Sequence, residues 1–400
     1  MDLTIPENVE KVRGMLRMLG KTRLRPLGIE ADRSGHALPS DHPFFREALG
    51  FGMTGGFTGP LDQPDKQRDP NRPRSAARRA VILAEEAAYW DRGMATSMPG
   101  PSLGGPPVYL MGTPEQKQKY LGIFEGAKEP CWAAFAMSEP GAGSDVAALR
   151  TRARKDGDHW VIDGEKMFIS NGNRASWVVV WATIDPTQGR AGHRAFIVER
   201  GTPGFKVARV DKKMGLTASE TASLTFENCR IPAENLLGGE HTAGKEGFKG
   251  AMATFNITRP IVGAMAIGIG RAAYDEARRF ARDNFTGVSA HRMYRARERL
   301  GTIRRKLEAG RLLAWHAAWL ADHKKPNAAE ASMAKAYGPP VALEAASLGM
   351  DILAEAGAAS DYLIEKLYRD VKVLDIVEGT GQIQRLVMAR QLINHGAPHE

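Results

Sequence analysis

Two cysteines, Cys131 and Cys229, stand in 400 residues. So few exclude a disulfide scaffold, and their separation offers no zinc-ligand spacing. They fit a reducing compartment, and no metal site is read. Long apolar runs are also missing. The longest lies near 261–270, well short of the roughly 18 residues a membrane span needs. The opening Met1-Asp2-Leu3-Thr4-Ile5-Pro6-Glu7 has no basic stretch followed by an apolar one, so no secretory signal is read. A cytoplasmic protein without membrane association is expected. Internal repeats and low-complexity tracts are absent as well. What is present is a globular balance, 43% apolar and 25% charged, with a net charge of +9. That balance excludes wholesale disorder, because enough apolar surface can be buried to offset ordering entropy. The length suits two or three domains. The basic excess suits phosphorylated cofactors or nucleic acid and does not choose between them.

Three regions differ in pattern, giving expected domains at 1–126, 127–243 and 244–400. The first is helical at both ends: Val9, Val12, Met15, Leu16 and Leu19 recur at helical spacing, as do residues in 80–88 and 114–124, the last with Thr113 placed as a cap. Between them, 52–75 is a Gly-, Pro- and Asp-rich loop leading to Arg68, Arg72, Arg74, Arg78 and Arg79. The second region changes to short β-branched and aromatic runs at 132–137, 159–162, 177–184, 194–198, 205–210 and 223–226, separated by turn signals. That spacing predicts a β-barrel or sandwich. The third predicts helices near 246–283, 292–323, 327–356, 360–374 and 381–394, a four-helix bundle. The fold class expected is α+β: helical domain, central β-barrel, helical bundle.

Three segments could carry chemistry. In Met137-Ser138-Glu139-Pro140-Gly141-Ala142-Gly143-Ser144-Asp145, a strand enters a tight turn. Gly141 and Gly143 let the backbone approach a ligand closely, and Ser138 and Ser144 flank them with hydroxyls. The third glycine of a dinucleotide fingerprint is absent. On spacing alone, a strand-joining turn is the weightier reading. In Glu165-Lys166-Met167-Phe168-Ile169-Ser170-Asn171-Gly172, Phe168 and Ser170 are two apart on one strand face, before an Asn-Gly turn. They could shield a flat ring and bond its edge; taken alone, the segment reads first as an ordinary hairpin. In Ile376-Val377-Glu378-Gly379-Thr380-Gly381-Gln382-Ile383-Gln384-Arg385, an acid sits beside an apolar pair. A desolvated carboxylate has a raised pKa and can act as a general base; the alternative is a helix-initiating loop with Thr380 as cap. Gly268-Ile269-Gly270 lies within a helical stretch and reads as helix packing, and His316 and His323 have no ligand partners. Arg292, Arg295 and Arg299 share a helix face, which reads as a solvated or intersubunit face before a phosphate or nucleic-acid grip.

Taken together, and in this order along the chain, the three motifs resemble those of the acyl-CoA dehydrogenase family; Leu367-Tyr368-Arg369-Asp370 also fits. The resemblance covers most of the chain. It implies an N-terminal helical domain, a central β-barrel and a C-terminal four-helix bundle, with FAD between barrel and bundle. It implies that the backbones of Phe135, Met137 and Ser138, with the Ser138 hydroxyl, meet the flavin edge. Phe168 would cover the ring, Ser170 would reach N5, and Thr380 and Gln382 would contact the cofactor further along. Ser144, Arg259 and Gly379 would lie on the CoA-thioester side, with Glu378 the catalytic base. The implied reaction converts a saturated acyl-CoA to a trans-2-enoyl-CoA: Glu378 takes the α-proton and flavin N5 accepts the β-hydride. An electron-transfer flavoprotein is the implied oxidant.

The chain departs from the family pattern in places. Phe168 replaces a Trp, Asn256 an Asp, and Val377 a bulkier residue, the last suggesting room for α-branched or ring-bearing acyl groups. Asp283-Asn284-Phe285-Thr286-Gly287 lacks the Arg that holds a neighbouring subunit's pyrophosphate, and Asp351-Ile352-Leu353-Ala354-Glu355 replaces a glycine-bearing motif. Acids near a pyrophosphate are unfavourable. Either a different subunit completes the oligomer, dimer or tetramer, or Arg292 or Arg295 substitutes in a homo-oligomer. The competing activities are an acyl-CoA oxidase and a flavin-containing DNA-binding protein of the alkylation-response branch. The latter is disfavoured because the chain ends soon after the bundle.

Overall fold

The computed structural model describes residues 3–55, 75–240 and 244–396, with side chains left undescribed at 244–254 and 394–396. The Gly-rich loop's Arg68, Arg72 and Arg74 lie outside the described residues. Helices come first: α1 (Glu7–Leu19), α2 (Arg25–Ser34), α3 (Pro43–Gly50), α4 (Ala76–Ser97), α5 (Gly105–Met111) and α6 (Pro114–Leu121). The expected Thr113 cap is present as a full capping box, its hydroxyl accepting from Gln116 N while the Gln116 side chain accepts from Thr113 N. Seven strands follow: β1 (Ala133–Ala136), β2 (Arg152–Asp156), β3 (His159–Ser170), β4 (Trp177–Thr183), β5 (His193–Glu199), β6 (Phe205–Val210) and β7 (Thr221–Pro232). They form one sheet in the order β1-β4-β2-β3-β7-β6, with β5 branching from β4.

Strand β4 is buried at every position. Val178, Val180 and Ala182 pack with the strands' own interior, while Trp177, Val179 and Trp181 pack with Val108 and Tyr120 from α5 and α6. A strand covered on both faces reads as an unbroken apolar run, which is why its sequence showed no alternation. Strand β2 was not expected. Its sequence is RARKD, and only Ala153 among its five residues is buried, so it carries almost no hydrophobic signal.

The bundle comprises α7 (Gly244–Asn284), α8 (Ala290–Asp322), α9 (Ala328–Leu353), α10 (Leu363–Val371) and α11 (Gly381–Gly396). Its core gathers Ile267, Ile269, Leu307, Ala342, Ala346 and Leu367. A Cβ at Gly268 would fall 2.2 Å from Glu85 O on α4, and one at Gly270 would fall 3.0 Å from the Ala342 backbone. The Gly-Ile-Gly segment is therefore a close helix crossing, as its sequence context suggested.

Charge clamps the layers together. Helix α4 breaks at Asp91, where φ is −164° and ψ 115°. Asp91 Oδ1 accepts from Met94 N at 2.8 Å and restarts the helix as a cap would. Lys366 of α10 donates to Asp91 Oδ2 at 2.7 Å and to Asp370 Oδ2 at 2.5 Å. Asp370 Oδ1 in turn accepts from Leu216 N at 2.6 Å, in the β6–β7 loop. Arg369 grips Asp32 of α2 through two bonds, at 2.9 and 2.6 Å. The N-terminal helices, sheet and bundle thus meet on one buried ionic chain.

Candidate active site

Glu378 lies in the loop between α10 and α11 and has a φ of 56°; Gly379 beside it has a φ of 90°. Two successive left-handed residues hold this loop in a strained shape, tolerated at the second position by glycine. The Gln384 side chain fixes it by donating to Glu378 O at 3.2 Å and Gly379 O at 3.0 Å. Thr380 caps α11, its hydroxyl accepting from Ile383 N at 3.3 Å, while Gln382 is exposed on that helix's first turn. The Thr380 hydroxyl therefore serves the helix, the alternative its sequence left open.

The Glu378 carboxyl is enclosed. Its Oε2 is buried and accepts no hydrogen bond from the described residues. The Thr258 hydroxyl faces it without reaching hydrogen-bond geometry, and Arg92, Arg259 and Lys335 supply positive charge around it. Burial nevertheless outweighs Thr258 and those cations, so the Glu378 pKa lies above the ordinary 4.5. The amide of Glu378 donates to no acceptor among the described residues.

The surrounding cations are themselves underused. Arg259 is 8% exposed and donates to Asn256 Oδ1 at 3.2 Å, yet its Nε has no partner. Because Asn256 is neutral, the opposite charge that bears on this guanidinium is the Glu378 carboxylate, with which it forms no ion pair. Lys335 Nζ is buried and partnerless, and burial pulls its pKa down to about 8. Arg92 Nε is likewise enclosed and unpartnered, and burial brings its pKa to about 10 against the pull of Glu378 and Asp91. Buried polar atoms almost always find partners. This many orphans in one place mark a ligand site.

The other half of the site lies on β3. Phe168 has a φ of 61° and falls in a register shift between Lys166 and Ile169. The regular alternation expected of this strand is therefore broken by a bulge, which stands Phe168 off the ladder with 63% of it exposed. Ser170 stays in register opposite Thr221. Asn171-Gly172 closes no hairpin: β3 pairs with β2 and β7, not with β4. Instead Asn171 is buried and donates to Thr96 O at 3.1 Å.

Sequence reading missed the device that holds the first motif. Lys166 is fully buried and donates to Glu139 Oε1 at 2.7 Å and Met137 O at 3.0 Å. Glu139 also accepts from Arg150 N and Thr151 N. Burial lowers the Lys166 pKa to about 8 against the pull of Glu139, still above neutrality, so the pair stays ionic. Met167 N donates to Ser138 O at 2.9 Å. The carbonyls of Met137 and Ser138 are thus occupied, and what these residues can offer a ligand is N–H and hydroxyl. Beyond them, Gly141 and Gly143 front open space, and Ser144 is exposed.

The two halves meet. Phe135 of β1 packs edge-on against Phe255 of α7 with ring centroids 6.4 Å apart, and Arg259 lies 5.9 Å over the same Phe255 ring. Asn171 joins the end of β3 to α4, one helical turn beyond Arg92. Phe135 is thus joined to the helix that carries Arg259, and the end of β3 to the helix that carries Arg92. A larger cleft of about 1060 Å³ lies elsewhere, between α2, the β6–β7 loop and α10, and excludes Glu378.

N-terminal helices, a seven-stranded sheet and a helical bundle in this order define a class: the chain belongs to the acyl-CoA dehydrogenase family. The family's middle-domain model matches residues 134–229 and its C-terminal-domain model residues 245–393. The protein is thus an oxidoreductase acting on CH–CH bonds of acyl-CoA. The chain is 34% identical, over 97% of its length and 96% of the relative's, to the probable acyl-CoA dehydrogenase FadE25 of Mycobacterium tuberculosis. Butyryl-CoA dehydrogenase from Megasphaera elsdenii superposes with a TM-score of 0.87 at 30% identity, covering 98% and 100% of the two chains. A chain from work on the electron transferring flavoprotein of Acidaminococcus fermentans gives 0.86 at 33%, with the same coverage.

FAD is the cofactor of this family, and the residues present fit it. An exposed Phe168 at a strained φ, open space before Gly141 and Gly143, and hydroxyls at Ser138 and Ser170 suit a planar polar ring. A second cleft, of about 300 Å³, is lined by Phe285, His291, Arg292, Arg295, Arg299 and Asp351. Here Arg292 covers the Phe285 ring at 5.3 Å. The expected electrostatic cost of Asp283 and Asp351 is offset, since Asp283 pairs with Arg282 at 2.6 Å and Asp351 with Arg299 at 2.9 Å. Among the described residues no cluster could hold a metal ion, and no helix is long and apolar enough to cross a membrane.

Proposed function

We propose that Glu378 is the base that removes the α-proton of a saturated acyl-CoA thioester, the product being the trans-2-enoyl-CoA. The observation that carries this is the enclosed, unpartnered Glu378 Oε2 with its raised pKa. An α-proton of a thioester is too weakly acidic for a carboxylate in water. Burial of Oε2 takes this carboxylate partly out of water, which strengthens the base. The Glu378 N–H is available to the thioester oxygen, where charge develops as the proton leaves. Arg259, Arg92 and Lys335 hold the site positive overall and favour an enolate-like transition state. Phe168, Ser138 and Ser170 would hold the isoalloxazine, and Thr380 and Gln382 would follow the cofactor beyond it. Bound FAD supplies a two-electron acceptor for the β-hydride. Ser144 would meet the CoA side. An electron-transfer flavoprotein is the proposed oxidant, in preference to oxygen.

Anaerobic bleaching of the flavin by a panel of acyl-CoA thioesters tests this reading. Straight-chain, α-branched and ring-bearing acyl groups belong in the panel, since Val377 leaves room beside the base. Bleaching with formation of enoyl-CoA is expected; a panel without bleaching would sink the proposal. The same measurement carries a pH prediction. Glu378 works ionised, so the reduction rate rises with pH through its folded pKa. Because that pKa is raised, the midpoint falls above the ordinary 4.5. A rate already flat at pH about 5 would contradict the assignment.

The oligomer is proposed to be a homo-oligomer in which Arg292 and Arg295 receive a neighbour's cofactor phosphates. The Arg-lined cleft and the local neutralisation of Asp283 and Asp351 support it over a heteromer. The chain expressed alone should then hold one FAD per protomer, and replacing Arg292 and Arg295 together by Gln should weaken FAD retention roughly tenfold or more. Apoprotein from the unmodified chain would point instead to a second subunit.

A further inference from the structure

We propose that Arg92 selects the substrate: its guanidinium receives a carboxylate carried on the acyl group, so the thioester is a dicarboxylic half-ester of CoA and not a methyl-ended chain. This rests on the reading of Glu378 as base. Arg92 follows the Asp91 break in α4, and Asp91 is not its counter-ion, because both Asp91 oxygens are already engaged, by Met94 N and Lys366. The Arg92 side chain makes no hydrogen bond or ion pair with any described residue, and its Nε is buried. Glu378, the opposite charge it feels most, forms no ion pair with it and keeps an unpartnered Oε2. Two enclosed opposite charges that do not pair leave both desolvation costs standing.

The position of Arg92 says what lies between them. Its carbonyl accepts from Thr96 Oγ1 at 2.9 Å, and Thr96 O accepts from Asn171, the residue after Ser170. Arg92 is therefore one helical turn from the contact with the residue that follows the aromatic strand, and of the opposite charges near it Glu378 bears on it most. The space between them is what the acyl group must occupy. Compensation of Glu378 does not require it, since Arg259 and Lys335 already stand by the carboxylate. An alkyl chain in this space would leave the guanidinium, whose Nε is already enclosed, without an acceptor. A site with such a donor rejects the analogue that lacks the acceptor, and a carboxylate meets a guanidinium through two parallel bonds.

The test compares anaerobic flavin reduction of the holoenzyme by succinyl-, glutaryl-, adipoyl- and suberoyl-CoA with reduction by methyl-ended thioesters of the same chain lengths. At least one carboxylated thioester should exceed its methyl-ended partner about tenfold or more in rate at limiting substrate. In Arg92→Met that ratio should fall about tenfold or more, to near one, and Arg92→Lys should keep part of it. FAD content and the flavin potential are measured on each variant. Methyl-ended thioesters favoured by the unmodified enzyme would overturn the proposal, as would an Arg92→Met ratio equal to the unmodified one. So would a shifted flavin potential with selectivity intact, which would assign Arg92 to the cofactor. Absence of bleaching by every thioester would sink the Glu378 reading itself. Bleaching without preference for a carboxylate sinks only the role of Arg92.

Discussion

Glu378→Gln should slow flavin reduction by about a thousandfold, at the upper part of what a positioned general base contributes, while FAD stays bound. The size of the effect follows from the surroundings. Among the residues around Glu378, the other charged groups, Arg92, Arg259 and Lys335, are cations, and Thr258 carries a weakly acidic hydroxyl. The charges that bear most on Glu378 are thus all positive, and as cations none of them can take the α-proton. Gln keeps the side chain's volume and the backbone that Gln384 fixes, so the left-handed loop should survive. Two readouts separate chemistry from collapse: the rate of bleaching by the best thioester, and the affinity for that thioester. A loss in rate with affinity nearly kept is the expected pattern. Bleaching within a few-fold of the unmodified enzyme would move the base elsewhere.

How much of this was visible beforehand depends on the kind of signal. The three-region order was legible because the apolar period changes along the chain, and β4 announced itself through Trp177–Thr183, apolar or β-branched throughout. Strand β2 was not, since pairing with β3 and not burial makes it a strand, and RARKD has little to bury. The motif residues Ser138, Phe168 and Glu378 were legible as a set. The bulge at Phe168 was not, because a register shift depends on what the partner strand does. Lys166 was quoted within a motif but given no role there, though its burial against Glu139 fixes the first turn. Lys335 had a faint signal, a single Lys amid Ala and Met. Arg92 had none. Its meaning comes from a helix break held by Lys366, far away in sequence.

That dependence can be tested directly. Lys366→Met should destabilise the fold by about 3–5 kcal/mol, the cost of removing one member of a buried ionic group. Without the ammonium, Asp91 and Asp370 face each other enclosed, and Asp370 already has a pKa raised by burial. The sign with pH follows. The Asp370 folded pKa lies above the unfolded 3.8, so its penalty is full above the folded value and shrinks as pH falls toward 3.8. The deficit measured by denaturant or heat should thus be largest at neutral pH. Adding Asp370→Asn should recover part of it, because an amide oxygen still accepts from Leu216 N while the second buried charge is gone. The structural consequence lies at the break. If Lys366 holds Asp91 where it restarts α4, then Lys366→Met should also lower the rate with the best thioester at temperatures where the protein remains folded, through displacement of Arg92. A variant as stable as the unmodified protein would mean that the buried chain carries no net energy. A destabilised variant with an unchanged rate would mean that the break is held by helix packing alone.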